Sequence, residues 1–406
     1  MYRFFSLVVK VVLVSFIIVG CSLPARLTGR PEGLARLERR HGKLSPGEIV
    51  ELDGQLLIEF EALLERLDDK RIVYVGETHN EMDHHEVQLE ILRGLYGRDP
   101  RLVIGMEMFE RPFQGVLDRW IDGAIDQRTF LRESEWFSRW KFDFSYYERI
   151  LSFARKNKIK ILALNAPREV VDKVGDFGIK ALSREEKALI AAIDTSDPRH
   201  RRYIRKVFDA HEKTSGGSFE RFYEAQCVWD DTMAETISDF VTSRDGEDKK
   251  IIVFSGSGHI VHKFGIPERA FRRTGLPYAT ILPSRLKKIP KKLYDEKEPS
   301  LVIADFLWLT EGSLLKKARL GVVAENSLAP EKGVVIRTVV KGSSADKAGI
   351  QPGDTIVAID EGTIDDMVDL RLALSEKEPG TVSRVIFFRD DVREEAEVTF
   401  IKSGFH

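Results

Sequence analysis

The feature that most restricts the fold of this sequence is a set of short, unbroken apolar runs separated by helical patterns. The runs occupy residues 71–76, 101–105, 159–164 and 251–254, and a further candidate lies at 277–282. Strands buried on both faces have continuous apolar sequences, and parallel strands are joined by helical crossovers. The sequence therefore predicts an α/β fold with a mainly parallel sheet.

A helical insertion is predicted between the second and fourth of these runs, at about residues 110–245. Within it, Trp229, Met233, Ile237 and Val241 recur every four residues, which places them on one face of an amphipathic helix. Only one of the apolar runs lies inside this segment. We expect it to be mostly helical.

Length and composition limit the class of protein. A chain of 406 residues is too long for one ordinary domain, so two or three are expected. With 43% hydrophobic and 32% charged residues, the disordered and fibrous classes are excluded. A net charge of -2 gives no sign of a general nucleic-acid binder, and 2 cysteines exclude a disulfide scaffold.

Each of the four strand-like runs is followed closely by residues that can ionise or form hydrogen bonds. These residues are Glu77, His79, Glu107, Asn165, Arg168 and His259. The carboxyl ends of parallel strands lie along one edge of a sheet, where ligands bind. One such residue alone is more often structural, but polar groups after four strands are costly unless they are used. The set predicts one ligand pocket.

The segment after Glu77 predicts a helix that begins near Asp83. Asp83 and Glu86 have the spacing of a capping box, and the helix is expected to continue to about residue 96. His84 and His85 would lie in its first turn, where the positive end of the helix dipole disfavours an imidazolium. Both should be neutral, the form of histidine that ligates metal.

The first residues predict export and a lipid anchor. An apolar stretch at 7–19 is too short to span a membrane permanently and is typical of a signal peptide, here residues 1–21. It ends in a glycine and Cys21, which resembles a bacterial lipobox and implies acylation of that thiol. A plain signal peptide is the alternative. Residues 22–50 would form a tether, and a cell-envelope location is expected, at the outer membrane or the periplasmic face.

The last 90 or so residues contain a separate module. A basic run at 285–292 predicts a linker over residues 286–312 and a domain over 313–404. The pattern Ala-x-x-Ala-Gly-Ile-x-x-Gly-Asp-x-Ile at 345–356 resembles the PDZ domains of HtrA-like proteases. The resemblance implies that backbone amides at Leu320, Gly321 and Val322 hold a peptide carboxylate while the peptide adds as a strand. No Ser-His-Asp protease domain accompanies it.

Five ordered motifs in the domain predicted at 51–285 resemble the ChaN-like haem-binding lipoproteins. The superfamily of that family includes Tiki, TraB and erythromycin-esterase-like proteins. The motifs are Gly76-Glu-Thr-His79 with His84, His85 and Gln88; Gly105-Met-Glu-Met-Phe109 with Gln114; Trp140 and Tyr147 with Asn165-Ala-Pro-Arg168; Gln226-Cys-Val-Trp-Asp230; and Gly256-Ser-Gly-His259.

The resemblance implies an iron-related lipoprotein that holds haem, including the arrangement of a face-to-face haem pair at a homodimer interface. Haem iron takes axial ligands such as His or Tyr. His84, His85 and Tyr147 are the haem-binding residues to test first. Rings of the segment 136–144 could flank a porphyrin, although most of them are expected to pack the insertion.

The alternative function is a hydrolase of the Tiki or esterase-like type, to which the PDZ module would bring substrate. Glu77, His79, Glu107 and His259 would be its catalytic residues. His79 and His259 would ligate a divalent metal such as zinc or manganese that activates water, or Glu77 and His79 would act without metal as an acid–base pair. No HExxH motif is present. The first expectation is a haem- and peptide-binding protein rather than an enzyme.

Overall fold

The chain divides into two compact units in a computed structural model that describes residues 32–215, 217–288, 302–313, 317–327 and 332–402. The first unit comprises the chain to Ala124 together with 139–313, and the second comprises 125–138 together with the chain from Leu314. The predicted signal peptide, including Cys21, lies outside the described residues.

An eight-stranded sheet forms the centre of the first unit, and its order is β2-β1-β8-β7-β3-β6-β4-β5. Its strands are β1 (Ile49–Glu51), β2 (Leu56–Ile58), β3 (Ile72–Glu77), β4 (Leu102–Glu110), β5 (Ile161–Asn165), β6 (Lys250–Gly256), β7 (Tyr278–Arg285) and β8 (Phe306–Thr310). The pairs formed by β3, β4, β5, β6, β7 and β8 among themselves are parallel, and β1 is antiparallel to β2 and β8. The predicted fold class is confirmed.

Helices account for most of the remaining regular structure. They are α1 (Glu32–His41), α2 (Phe60–Leu67), α3 (Met82–Arg98), α4 (Gln114–Asp122), α5 (Gln127–Glu133), α6 (Trp136–Arg139), α7 (Glu148–Lys156), α8 (Arg168–Phe177), α9 (Arg184–Lys187), α10 (Pro198–Ser215), α11 (Phe219–Thr242), α12 (Ile266–Thr274), α13 (Ser344–Lys347) and α14 (Met367–Ser375). Short 3₁₀ turns lie at Arg111–Phe113, Phe144–Tyr146, Ile179–Ala181, Ser257–His259, Val261–Lys263 and Leu286–Lys288. In the described part of the chain, no helix combines the length and apolar character needed to cross a membrane.

The core explains why the central strands are so apolar. Every residue of β3 and β4 is buried, and α11 packs its apolar face against the sheet through Met233, Ile237 and Val241. Helices cover such parallel sheets on both faces, so hydrophobic residues do not alternate with polar ones. The glutamates that remain in these strands are therefore desolvated, and a buried carboxylate requires partners.

The structure contains regular elements that the sequence analysis did not predict. The predicted tether 22–50 contains α1 and the start of β1, and the predicted linker 286–312 contains β8, which pairs with both β7 and β1. The basic run at 285–292 therefore precedes another strand of the same sheet rather than a domain boundary. The start of α3 also differs from the prediction, because its N-cap is Glu81 rather than Asp83.

Asp83 lies inside the first turn of α3 and binds a distant segment. Its carboxylate accepts the backbone N–H of Gly312 at 2.7 Å and the hydroxyl of Ser313, while Glu86 pairs with Arg149. Neither side chain is therefore used in a capping box. The sequence pattern cannot reveal this, because the competing partners come from remote parts of the chain.

The second unit contains an antiparallel sheet in the order β10-β11-β12-β14-β15, with β13 on β12. The strands of this sheet are β10 (Val322–Asn326), β11 (Val334–Val339), β12 (Thr355–Ile359), β13 (Gly362–Thr363), β14 (Val382–Arg389) and β15 (Val392–Thr399). Two further strands, β9 (Ala318–Arg319) and β16 (Ile401–Lys402), pair with each other in a separate antiparallel sheet. The helices α13 and α14 share its core through Ala345 and Leu370. Residues 125–138 of the predicted insertion also belong to this unit.

Candidate functional site

Polar residues from the ends of three strands lie together at one edge of the sheet. Glu77 closes β3 directly opposite Gly256, the last residue of β6. The register between β4 and β5 shifts between Met106 and Glu110, so Glu107 lies in an irregular stretch. Such irregularities redirect side chains next to functional sites. Glu77, Glu107 and the turn after β6 therefore meet at this edge.

The Glu77 carboxylate is the centre of a buried hydrogen-bond cluster. Its Oε1 lies 2.7 Å from His79 Nδ1 and accepts the Tyr147 hydroxyl at 2.5 Å. Its Oε2 accepts the Gln88 amide at 2.9 Å and lies 3.4 Å from His85 Nδ1. The carboxylate thus has the partners that a buried charge requires.

The partners of Glu77 decide its protonation state. Burial alone would raise the pKa of this carboxyl, but His85 and His79, together with the Tyr147 hydroxyl, lower it to about 2. Glu77 is therefore ionised at neutral pH. Burial and the adjacent Glu77 charge raise the pKa of Tyr147 well above its ordinary value, so its hydroxyl stays protonated and donates.

His79 links the Glu77 cluster to two aromatic side chains. Its ring stacks edge-on to Trp140 at 4.8 Å and lies 4.9 Å from the ring of Phe142. Because Glu77 is an anion, Nδ1 of the ring donates a hydrogen bond to it, and Nε2 is the ring nitrogen beside Gly256. A methyl group added to Gly256 would lie 3.2 Å from this nitrogen and 3.6 Å from Glu107 Oε2, so the two atoms border the same small space.

A second ionised cluster lies on the other side of Gly256. Glu107 Oε2 accepts the Gly256 N–H at 2.6 Å, and its Oε1 lies 3.4 Å from His259 Nε2. The other ring nitrogen of His259 lies 2.6 Å from Asp230 Oδ1. His259 therefore bridges two carboxylates, one from β4 and one from α11.

This bridging position sets the charge of His259. Burial alone would lower the pKa of the imidazole, but the carboxylates of Glu107 and Asp230 raise it well above its ordinary value. In return, His259 lowers the pKa of both carboxyls against the effect of burial. The cluster is an imidazolium between two carboxylates at neutral pH.

A deeper layer supports Asp230 and was not predicted as part of the site. The Asp230 Oδ2 atom lies 3.4 Å from His200 Nε2, and Arg269 is 3.2 Å from the other ring nitrogen of His200 while it pairs with Asp231. Gln226 reaches His259 Nδ1 at 3.0 Å. Gln226 and Asp230 lie one turn apart on α11, and this spacing in the sequence could have indicated that both reach the site. No comparable sequence pattern marks His200 or Arg269 as part of it.

Asn165 and Arg168 are adjacent to the site in different ways. The Asn165 amide donates to the backbone carbonyl of Glu107 at 3.0 Å, so it fixes the chain that carries Glu107. Arg168 begins α8, its backbone N–H donates to Glu110, and its guanidinium is directed towards Asp172 at 3.5 Å. Asn165 therefore positions the backbone that carries Glu107. The side chain of Arg168 pairs with Asp172 and not with the Glu77 or Glu107 clusters.

The three predicted haem-binding residues are buried. Tyr147 donates to Glu77, and the two ring nitrogens of His85 lie 3.2 Å from Gln88 Oε1 and from the His79 carbonyl. His84 accepts the Thr78 N–H through Nδ1, and its Nε2 is buried without a hydrogen-bond partner. Burial lowers the pKa of His84 to about 3 and also lowers that of His85. Both are neutral, because burial disfavours the charged form.

The described residues contain no cluster of three or more His, Cys, Asp or Glu side chains arranged to hold a metal ion. Histidine and carboxylate at this edge are instead paired with each other. The predicted metal ligand His79 contacts a carboxylate through Nδ1, which is the orientation that fixes a ligating histidine. The other predicted ligand, His259, contacts a carboxylate through each of its ring nitrogens.

The residues predicted to bind a peptide carboxylate lie at the start of β10. Gly321 has a φ of 80°, and a Cβ there would come within 2.3 Å of Ser343, so this turn requires glycine. Leu320 is buried and its carbonyl accepts the Ala345 N–H at 2.9 Å. Val322 begins β10, which is an outer strand of the sheet.

One curated protein and one solved structure show the similarity of this chain to known proteins. Protein RETICULATA-RELATED 5, a chloroplast protein of Arabidopsis thaliana, is 27% identical over 269 residues, which is 60% of this chain and 34% of that protein. The chain thus spans about a third of the length of this curated relative. The solved structure of ChaN of Campylobacter jejuni, described by its cofacial haem binding, is 20% identical and covers 64% of this chain and 95% of that chain, with a TM-score of 0.51. That likeness shows a shared fold.

Two family models match the chain. A model of PDZ domains matches residues 318–400, which are the antiparallel sheet and helices of the second unit. The model described as haem-binding uptake, Tiki superfamily, ChaN matches residues 63–270, and this range spans half of the chain and contains Glu77, His79, Glu107 and His259. The chain therefore belongs to the ChaN family of the Tiki superfamily and carries a PDZ domain.

Proposed function

We propose that this protein binds haem beside His79, and that its PDZ domain binds a peptide or protein C-terminus. The observation that carries the haem proposal is the pair formed by His79 and Glu77. A histidine that ligates iron or zinc commonly donates its other ring N–H to a carboxylate, which fixes the tautomer and increases the basicity of the ligating nitrogen. His79 has this arrangement, with Nε2 on the side of Gly256.

The surroundings of His79 suit a porphyrin. Trp140 and Phe142 contact the imidazole from two directions, and Trp229 lies 6.2 Å from the ring of His259 across the same edge. Haem, when bound, supplies an iron that needs one or two axial ligands, and its ring packs on apolar side chains. His79 is the residue of this chain that we assign as the ligand.

The sequence-based candidates rank below His79. Tyr147 and His85 already use their polar atoms within the Glu77 cluster, and either would have to leave it to bind iron. His84 has a ring nitrogen without a hydrogen-bond partner but is buried. A shared haem pair between two copies and a lipid anchor at Cys21 also belong to this proposal. The family match supports the haem and the PDZ fold supports the peptide.

Haemin titration of the purified protein without its predicted signal peptide tests the proposal. We expect a shifted Soret band for the wild type, loss of at least about tenfold in affinity for His79→Ala, and a retained band for Tyr147→Phe, whose fold is checked by circular dichroism. The loss of affinity follows because one Fe–N bond is removed. A normal band in His79→Ala with a lost band in Tyr147→Phe would contradict the assignment.

The same preparation distinguishes the second candidate function, hydrolysis. The favouring observation is the His259 imidazolium held by Glu107 and Asp230, while Glu107 Oε2 and His79 Nε2 both lie beside Gly256. An acid and a base at one edge are what activation of water requires. Stoichiometric zinc or manganese that is lost in His259→Ala, together with no Soret shift, would favour the hydrolase over haem binding.

A further inference from the structure

The outer side of β10 is where a peptide strand can add to the sheet of the second unit. This strand ends the sheet and pairs with β11 along its other side. Val322 and Ala324 pack against the core of the unit, whereas Val323 between them is 57% exposed. Because successive side chains of a strand point to opposite faces, Val322 and Ala324 give this edge an apolar inner face.

The helix α14 runs antiparallel to β10 and forms the second wall of a groove along this edge. At the start of α14, the Met367 N–H donates to Asn326 Oδ1 at the end of β10, at 2.7 Å. Just beyond the other end of α14, the carbonyl of Lys377 accepts the N–H of Ala318 on β9 at 3.4 Å. The end of α14 therefore lies near the Gly321 turn, and its start lies near the far end of β10.

Three residues of α14 share the side of the helix that borders this groove. Met367, Arg371 and Leu374 have the i, i+4, i+7 spacing of one helix face. Met367 and Leu374 are half-buried against the same core as Val322 and Ala324, and Arg371 between them is exposed. The groove is therefore apolar, with a cationic side chain part of the way along its helical wall.

The height of Arg371 in the groove corresponds to the third residue from the end of a bound peptide. Arg371 lies four residues from Met367, about 6 Å along the helix. Ala324 lies two residues from Asn326, about 7 Å along the strand. Since Met367 and Asn326 are hydrogen-bonded, Arg371 is level with Ala324. A peptide whose carboxylate lies at the Gly321 turn has its last residue at the start of β10 and its third-from-last residue at this level.

Contacts within the same unit orient Arg371. Its guanidinium lies 4.8 Å from the centre of the Phe137 ring, which is a cation–π contact, and Phe137 belongs to the segment 125–138 of this unit. A guanidinium has five N–H donors, so such a contact is compatible with binding a carboxylate as well. The acidic residues Asp366 and Asp369 bind Arg132 of α5 on another side of α14. They are therefore not directed at a peptide beside Arg371.

We propose that Arg371 makes this groove select peptide C-termini that have an apolar last residue and an acidic residue at the third position from the end. The inference rests on the proposed function in taking a peptide C-terminus as the ligand of the PDZ domain. A peptide carboxylate at this level pairs with the guanidinium, whereas an ammonium group is repelled. Because Arg371 is exposed, the preference is several-fold and weakens as the salt concentration rises.

Peptide selection followed by titration tests the inference in the protein without its predicted signal peptide. Peptides that end in valine and are randomised upstream are selected on the immobilised protein and identified by mass spectrometry. A selected sequence is then titrated by fluorescence polarisation with glutamate, glutamine or lysine at the third position from the end. We expect the glutamate peptide to bind about fivefold more tightly than the lysine peptide at low salt.

Two variants and a matched control assign the preference to Arg371. Arg371→Glu should reverse the order of the glutamate and lysine peptides, and Arg371→Gln should bind both about equally. Arg384→Glu makes the same charge change at an exposed ion pair on β14 and should keep the wild-type order. A variant that still binds one of the peptides is folded, so the reversal does not depend on a separate test of folding.

The outcomes distinguish this inference from the proposed function. Equal wild-type affinity for the glutamate and lysine peptides, or a preference that both Arg371 variants retain, overturns the role of Arg371 while peptide binding stands. A version of the glutamate peptide with a C-terminal amide should bind much more weakly than the free acid. If the amide binds equally well, or if no peptide is selected, the proposed recognition of a C-terminus fails and the inference fails with it.

Discussion

At the scale of single residues, the site consists of charges that compensate one another. Glu77 is an anion held by hydrogen-bond donors, and His259 is a cation between Glu107 and Asp230. Burial opposes every one of these charges, and only the contacts within each cluster reverse its effect. A substitution at one member therefore changes the protonation and stability of its partners.

The lowered pKa of Glu77 predicts a specific acid sensitivity. Its pKa is about 2 in the folded chain against an ordinary 4.5, so the stability it contributes is present above 4.5 and is lost as the pH falls towards 2. Glu77→Gln should lower the free energy of unfolding at neutral pH by on the order of 3 kcal/mol and flatten its dependence on pH between 4.5 and 2.

Urea unfolding at a series of pH values measures this effect. Glu61→Gln, which changes an exposed carboxylate, is the control and should retain the steep wild-type profile. An identical slope in Glu77→Gln and wild type would mean that other carboxylates carry the acid sensitivity.

At the scale of elements, the close packing of strand ends brings the clusters together. Gly76, the residue before Glu77, has no room for a side chain: a Cβ would lie 2.8 Å from Leu282 and Ser257 and 2.9 Å from Ile260. The turn after β6 and the strand β7 therefore approach the end of β3 closely. This contact holds Ser257–His259 against the edge where Glu107 pairs with His259.

Gly76→Ala should accordingly destabilise the protein by about 1–3 kcal/mol, the usual effect of overpacking a core. Gly97→Ala is the matched control, since it lies near the end of α3 with open space around it and should be neutral or stabilising by up to about 1 kcal/mol. Thermal unfolding compares the two. Equal melting temperatures for both variants would show that the strand end can relax.

At the scale of the whole molecule, the protein is two units whose sequences interleave. Residues 125–138 belong to the PDZ unit, although the ChaN-like unit precedes and follows them in the sequence. The strand β8, from the region predicted as a linker, belongs to the sheet of the ChaN-like unit. A cut at residue 285 would remove β8 from a sheet in which it pairs with two strands. The two units therefore cannot be separated at the boundary that composition suggests.

The proposed lipid anchor makes a prediction at this scale. In a bacterial host, Cys21→Ser should move the full-length protein from the membrane fraction to the soluble fraction of the envelope, because acyl chains on the thiol supply the membrane affinity. Cys227→Ser is the control, since Cys227 is buried in the described structure and should not change the distribution. Fractionation followed by mass measurement of the N-terminal peptide tests this. Membrane retention of Cys21→Ser would argue against the anchor.

The sequence by itself determined the parallel sheet and the convergence of Glu77, Glu107 and His259, because apolar runs and turn residues are local signals. The PDZ module was predicted from the resemblance of residues 345–356 to a family motif. The strands β1, β2 and β8 were missed, since β1 and β2 have 3 residues each and β8 follows a basic run. Only the tertiary structure decided the rest. Asp83 binds Gly312 instead of capping its helix, Tyr147 binds Glu77, and Arg132 joins a domain whose remaining residues lie far downstream. Charges and hydrogen bonds buried at such separations are chosen by packing, and packing has no local pattern in the chain.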